Sequence, residues 1–326
     1  MDYRQLGRTG LRVSTLGFGC GNVGGLIVRG TPAERERAVA RGLELGINYF
    51  DTASIYGDGL SEQHLGQALR ADVLVGTKVR LAIDDLADMP GAIVRSTDAS
   101  LRRLGMERVD LMQFHNPIAV DRRGTWASSK DVLQTIVPTL ARLVEQGKTR
   151  FFGITALGET AALLDVLDDG RIQTAQVCLN LLNPTAAVEP PAKFPAQDFS
   201  RLLTRCRERG AGTIIIRVAA GGALSGVESR HPIASPPPEP IASGADYAAD
   251  VRRARRLLPL IDEGHADSLV EASLRFAVGA DGVSTILLGY SSLEQLEYAA
   301  KCVAKGPLPA AALARLRELW TGLASR

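Results

Sequence analysis

The strongest constraint on the fold is an alternation. Short β-branched or apolar runs recur at 15–20, 47–51, 73–79, 109–115, 151–155, 174–179, 212–218 and 284–288. Runs of this length and type fit parallel strands buried on both faces. Helical patterns lie between them. Thr31-Pro32-Ala33-Glu34 supplies an N-cap, a proline at the first helical position and an acid in the first turn. Gly46 offers the stop. Further helices are expected at 61–69, 90–104, 130–146, 159–167, 198–209, 267–278 and 292–303. Eight strand-then-helix units predict an α/β fold, a closed (β/α)8 TIM barrel spanning 1–326 as one domain. An open doubly wound sheet is the alternative. Two segments stand outside the repeat. Residues 3–13, with Gly7 and Thr9-Gly10, suggest a β-hairpin ahead of the first strand. Residues 219–266 form a long insertion after strand seven, at the C-terminal mouth of a barrel. It carries Pro236-Pro237-Pro238-Glu239-Pro240, unfit for helix or central strand, and a basic helical stretch at 247–258. Loops of this length are functional lids or disordered.

Composition removes several function classes. Lys and Arg number 38 against 36 Asp and Glu, a net charge of +2, so no basic excess points to nucleic acid. No apolar run is long enough for a membrane helix, and no apolar core follows Met1 as in a signal peptide. Cys20, Cys178, Cys206 and Cys302 are dispersed and read as reduced, buried thiols of a cytoplasmic protein. The histidines at 64, 115, 231 and 265 lack ligand spacing, so no metal is expected and a metal-dependent hydrolase is disfavoured.

Gly19-Cys20-Gly21-Asn22-Val23-Gly24 is a literal G-x-G-x-x-G after a strand, with Asp51 ending the next strand. In a dinucleotide-binding fingerprint the glycines open the helix, so that phosphate meets its N-terminus. Here the helix signals come only at Thr31-Pro32. The segment therefore reads as a loop where backbone approaches backbone or ligand, with Gly21 and Asn22 as candidate ligand contacts.

Three strands end in polar groups: Asp51-Thr52-Ala53-Ser54-Ile55-Tyr56-Gly57, Gly76-Thr77-Lys78-Val79 and Gln113-Phe114-His115-Asn116-Pro117. In a barrel they emerge together on the C-terminal face. Asp51, Lys78 and His115 are costly there unless paired. A tyrosine of ordinary pKa, about 10, is a weak acid at neutral pH. An ammonium beside it favours tyrosinate, so Lys78 would tune Tyr56, with Asp51 holding Lys78 charged and aimed. His115 would donate to a carbonyl oxygen. Such a site moves a proton while hydride comes from a nicotinamide or flavin, since no side chain donates hydride.

At these residues the chain resembles the aldo-keto reductase superfamily. The likeness covers Tyr3-Arg4-Gln5-Leu6-Gly7-Arg8-Thr9-Gly10, Leu16-Gly17-Phe18-Gly19, Gly46-Ile47-Asn48-Tyr49-Phe50-Asp51-Thr52-Ala53, Tyr56-Gly57 and Ser61-Glu62-Gln63-His64-Leu65-Gly66. The resemblance implies a barrel closed below by a hairpin, catalysis by Asp51, Tyr56, Lys78 and His115, and NADPH bound without a Rossmann fold. It implies that Gln176 binds the nicotinamide carboxamide. The usual Ser-Asn after strand five is Thr155-Ala156 here, and Arg217 stands where an aromatic often stacks on the nicotinamide. The phosphate-binding segment falls on Gly289, Ser291, Ser292 and Gln295, without the basic partners of the 2′-phosphate. NADP(H) or NAD(H) is therefore expected, with Arg252 or Arg253 of the insertion as possible sources of charge. Residues 214–224 resemble a bacterial branch near aldose dehydrogenases, implying a small carbonyl or sugar substrate. Trp126 and Phe114 are candidate substrate contacts. A non-catalytic cofactor sensor on the same fold is the rival, disfavoured by the intact set of four.

Overall fold

The computed structural model describes residues 1–69 and 73–324. A hairpin of β1 (Tyr3–Gln5) and β2 (Arg12–Ser14) precedes the barrel. The barrel strands are β3 (Leu16–Gly19), β4 (Tyr49–Asp51), β5 (Leu74–Val79) and β6 (Val109–Phe114). After a small parallel pair, β7 (Ile118–Ala119) and β8 (Ala127–Ser128), come β9 (Thr149–Thr155), β10 (Thr174–Cys178), β11 (Gly212–Ile216) and β12 (Thr285–Gly289). The eight barrel strands pair in parallel in chain order, and β12 closes on β3 through Ile286↔Leu16. This is the (β/α)8 TIM barrel, and the open sheet is excluded by that closing pair.

The helices are α1 (Leu26–Arg29), α2 (Pro32–Glu44), α3 (Leu60–Ala68), α4 (Met89–Leu104), α5 (Ser129–Asp131), α6 (Val137–Glu145), α7 (Thr160–Asp168), α8 (Leu202–Glu208), α9 (Tyr247–Arg255), α10 (Pro259–Asp262), α11 (Leu269–Gly279), α12 (Leu293–Ala304) and α13 (Ala310–Ala324). Helix α2 begins as its sequence dictates: Thr31 accepts from the Glu34 amide and Glu34 reaches back, a capping box. Helix α8 starts four residues later than expected, because Ser200 and Arg201 are left-handed, with φ of 50° and 53°. Helix α13 lies outside the eight-unit repeat and was not anticipated. It buries Ala312, Leu316, Trp320 and Leu323, a helical stripe, and Trp320 donates to the Leu181 carbonyl at 2.8 Å.

Strand parity sorts the side chains. On β4, Phe50 packs outward among the helices while Tyr49 and Asp51 face the lumen. On β6, Met112 and Phe114 face the helices; Leu111 faces the lumen, as does Gln113, which donates across it to Thr174 at 2.8 Å. Room for Tyr49 comes from Gly76, where a Cβ would fall 2.5 Å from the tyrosine oxygen. Below, Leu6, Leu11 and Val13 of the hairpin region pack with Tyr49, Leu111, Ile214 and Leu287. Leu6 and Gly7 press on Gly212 at the N-terminal end of β11, and the hairpin plugs the bottom.

The insertion is an ordered strap. It holds α9, α10 and a 3-10 turn over Ala220–Ser225, with no helix or strand at 236–240. It is tied to the loop after β3: Arg230 Nη2 donates to Val23 O at 3.2 Å, the Ser235 amide to Val23 O at 3.3 Å, and Arg29 Nε to Ile233 O at 2.6 Å.

Candidate active site

Parity brings the polar strand ends together. Asp51, Lys78, Thr155 and Gln176 lie on lumen-facing positions of four strands and are almost fully buried. Asp51 Oδ1 accepts from Lys78 Nζ, and Asp51 Oδ2 accepts from Gln176 Nε2 at 2.6 Å and from Tyr49 OH at 2.9 Å. Lys78 Nζ also donates to Thr52 O at 2.6 Å. A buried ion pair survives desolvation only with its remaining lone pairs and protons satisfied, and these contacts supply that. Burial alone lowers the Lys78 pKa, but Asp51, and then Tyr56, outweigh it and hold the ammonium above its ordinary range. Burial first, and then the Asp51 charge, keep the Tyr49 hydroxyl protonated, well above the usual tyrosine range.

Tyr56 stands on the turn between β4 and α3. Its amide donates to Ala53 O at 3.1 Å and its carbonyl accepts from Ser61 at 3.2 Å. Lys78 Nζ lies 4.9 Å from the centre of its ring, and His115 crosses it edge-on at 5.9 Å. A Cβ on Gly21 would touch that ring at 3.4 Å, so the glycine loop passes directly over the tyrosine. The G-x-G-x-x-G is thus no dinucleotide fingerprint. Its last glycine, Gly24, packs against the Tyr290 backbone, where a Cβ would fall 2.4 Å from the nitrogen. Asn22 Oδ1 beside it is buried without a partner.

His115 follows β6, its amide bonded to Val79 O at 2.9 Å. Its neighbour Asn116 clamps the turn through the Leu81 amide, the Leu81 carbonyl and the Thr125 carbonyl, each at 2.8 Å. Burial, then the Lys78 and Arg80 charges, push the imidazole pKa well below its ordinary value, so the ring is neutral. Nδ1 is buried without a partner.

The other expected contacts divide. Thr155 Oγ1 donates to Gln176 Oε1 at 3.3 Å, and Gln176 gives one amide proton to Asp51, leaving one proton and one lone pair. Gly289 is exposed, Ser291 buried and Ser292 half-buried at the start of α12. Gln295 Oε1 accepts from the Ser291 amide at 2.8 Å, and Ser292 Oγ caps Gln295 at 3.4 Å. Trp126 is half-buried between β7 and β8, with the Arg123 guanidinium 4.2 Å from its ring centre. Phe114 corrects the expectation: it is fully buried on the helix-facing side of β6, so it offers nothing to a substrate. The last lumen-facing residue of β11 is Ile216, half-buried beside the interior cluster, and Arg217 follows it in a left-handed turn with φ 59°. Arg253 turns toward Leu182 O, 3.1 Å away, and Phe194, so it serves the β10 side of the mouth. Sequence reasoning missed Tyr49 and Ile216, although the two-residue strand period marks both.

Among the described residues no cluster could hold a metal ion, and no helix is long and apolar enough to cross a membrane. The aldo/keto reductase family model matches residues 15–321. L-galactose dehydrogenase of Arabidopsis thaliana is 27% identical, over 91% of this chain and 86% of its own. Pyridoxal 4-dehydrogenase of Microbacterium luteolum is 28% identical, over 90% and 91%. The solved aldo-keto reductase AKR11C1 of Bacillus halodurans, in its holo form, superposes with a TM-score of 0.71 and 25% identity, covering 99% of this chain and 96% of that one. The chain belongs to the aldo/keto reductase family, as an oxidoreductase working between CH–OH and C=O.

Proposed function

We propose that this single barrel unit is an NAD(P)(H)-dependent carbonyl reductase, or alcohol or aldose dehydrogenase, with Tyr56 as general acid and base. The observation that carries this reading is the convergence of Tyr56, Lys78 and His115 at one mouth, with Asp51 satisfied on every side beneath them.

A nicotinamide fits the residues present. The unpartnered Asn22 oxygen and the side-chain-free Gly21 beside Tyr56 leave polar capacity and room on one side. Gln176 keeps one amide proton and one lone pair for a carboxamide, and the α12 start offers backbone donors to a phosphate. When bound, that cofactor supplies or accepts the hydride.

The chain's own work is the proton. In reduction, Tyr56 gives its hydroxyl proton to the oxygen of the carbonyl compound as negative charge develops there. Lys78, held by Asp51, stabilises the tyrosine oxygen left behind. Neutral His115 presents Nε2–H to the same carbonyl oxygen, because Nδ1 is sealed in the fold. Oxidation of an alcohol runs these steps backwards. The four cysteines are free and buried, which suits a reducing, cytoplasmic compartment. The sensor alternative draws on a channel β-subunit likeness that covers 36% of this chain and lacks a specific observation here.

The test is Tyr56→Phe. Turnover of a reducible aldehyde should fall about 10²–10⁴-fold, with cofactor affinity within a few-fold. A variant keeping half the parent rate would remove Tyr56 from the chemistry.

A further inference from the structure

We propose that Ser61 is a positioning residue for Tyr56: with Thr52 it forms a buried hydroxyl pair that sets the tyrosine against Lys78. This rests on the reading of Tyr56 as the general acid and deepens it.

The turn after Tyr56 is an unfavourable one. Gly57, Asp58 and Gly59 run left-handed in succession, with φ of 57°, 53° and 91°. Such a run, with a non-glycine residue inside it, persists only where its surroundings over-determine it. Among the described residues no side chain caps α3, which starts from Gly59. The fastening comes from Ser61, in the first turn of that helix and 0% exposed. Its amide donates to Tyr56 O at 3.2 Å, and its Oγ donates to Cys20 O at 2.7 Å. A serine hydroxyl has one proton, so in the 2.7 Å contact between Thr52 Oγ1 and Ser61 Oγ the donor is Thr52.

These partners flank the tyrosine. Cys20 precedes Gly21, on which a Cβ would touch the Tyr56 ring at 3.4 Å. Thr52 gives its carbonyl to Lys78 Nζ at 2.6 Å, and that ammonium lies 4.9 Å from the Tyr56 ring centre. One hydroxyl pair thus joins the loop over the ring, the turn that bears the ring and the carbonyl that aims the ammonium. The next residue, Glu62, anchors the same helical turn by other means. It too is 0% exposed, and it accepts from Thr77 Oγ1 on β5 and from Arg103 Nε on α4, the latter at 2.6 Å. Without the Ser61 hydroxyl, α3 therefore keeps its seat, and what is lost is the hold on Tyr56.

The experiment measures NADPH-dependent reduction of p-nitrobenzaldehyde by the parent, Ser61→Ala, Thr52→Val, Thr52→Ser, Tyr56→Phe and the double variant Ser61→Ala, Tyr56→Phe. Ser61→Ala should lower kcat about ten- to a hundredfold, with KM and NADPH affinity within about threefold. Thr52→Val should lose less in the same direction, and Thr52→Ser, which keeps the hydroxyl, should recover it. Added to Tyr56→Phe, Ser61→Ala should cost less than about twofold, since no phenolic hydroxyl is left to align. Fluorotyrosine labelling gives a readout independent of turnover: the fluorine resonance missing from Tyr56→Phe should shift or split in Ser61→Ala. Full rate in Ser61→Ala and Thr52→Val, or an unmoved resonance, overturns the proposal. So does an equal loss in both backgrounds, which is what a merely structural role gives. If Ser61→Ala does not fold, the rate and resonance of Thr52→Val decide. If the parent reduces no aldehyde, the resonance decides. Tyr56→Phe at half the parent rate overturns the general-acid reading and this proposal with it. A collapsed Tyr56→Phe beside a fully active Ser61→Ala overturns this proposal alone.

Discussion

The lumen floor and the strap above it solve the same problem differently. On the floor, Asp51 meets Lys78, Gln176 and Tyr49, and both of its oxygens are used within the protein. On the strap, Arg217 makes one side-chain hydrogen bond, to Glu239 O at 3.3 Å, Arg253 Nε makes none, and Asp250 Oδ1 meets Arg253 Nη1 only at 3.6 Å. Groups that must keep one geometry through every turnover are saturated by the fold. Groups that must recognise something arriving from outside are left incomplete. The floor is built on strands, which parity locks; the strap is irregular chain, shaped by side-chain bonds to carbonyls.

The sharpest way to break this contrast is to open the floor. Lys78→Met leaves Asp51 as a buried charge without its cation. Removing one partner of a buried pair costs about 3–5 kcal/mol. Urea denaturation should show that loss, and turnover should collapse with it. A variant as stable as the parent would mean that Asp51 has reached water, and the floor is not sealed.

Tyr49→Phe is gentler and aims at the same carboxylate. It deletes one hydrogen bond to a charged acceptor, worth about 1.5–3 kcal/mol, while Gln176 and Lys78 remain. We expect a matching loss of stability and a drop in kcat of about tenfold, with KM for the cofactor little changed. A change in KM alone would shift Tyr49 from aligning Asp51 to shaping the cofactor's seat.

His115 lies between the two regions and gives a pH test. Its folded pKa is well below 6.5, through burial and the Lys78 and Arg80 charges. Below about pH 6.5 the unfolded chain takes up a proton there that the folded chain refuses. Stability from this group is therefore complete above that pH and falls as pH drops, by up to about 1.4 kcal/mol per unit, until the folded pKa is reached. His115→Gln should flatten this limb of the stability profile. An unchanged limb would place the proton uptake elsewhere.

The smallest effect belongs to the α12 start, where Gly289, Ser291, Ser292 and Gln295 are uncharged and Glu294 holds its charge readily, its pKa lowered first by the Ser292 hydroxyl. NADPH and NADH should bind with similar affinity in the parent. Gln295→Arg should move the ratio about tenfold toward NADPH, since one charge-assisted contact replaces a neutral one. Side-by-side fluorescence titrations decide it; a parent already preferring NADPH by about a thousandfold would reveal another cation near the phosphate.

How much of this was legible in the sequence follows the same division. Eight apolar runs and their helices gave the barrel, and Asp51, Lys78 and His115 stood out as costly polar ends of such runs. Phe114, a candidate substrate contact, faces the helices instead, because one step along a strand reverses the face and its neighbours Gln113 and His115 lie on the other side. Tyr49 was readable by the same rule, two residues before Asp51. Helix α13 had the right period but no strand before it. The strap was opaque: the direction of Arg253 depends on carbonyls such as that of Leu182, far away in sequence, which no local pattern encodes.

The hairpin plug has one more consequence. With Leu6, Leu11 and Val13 buried against Tyr49, Leu111, Ile214 and Leu287, apolar side chains close the underside of the barrel. If Tyr56 is the acid, as proposed, a plug of this kind leaves the mouth as the side from which its proton would be restored, so reprotonation and the departure of product would share one opening.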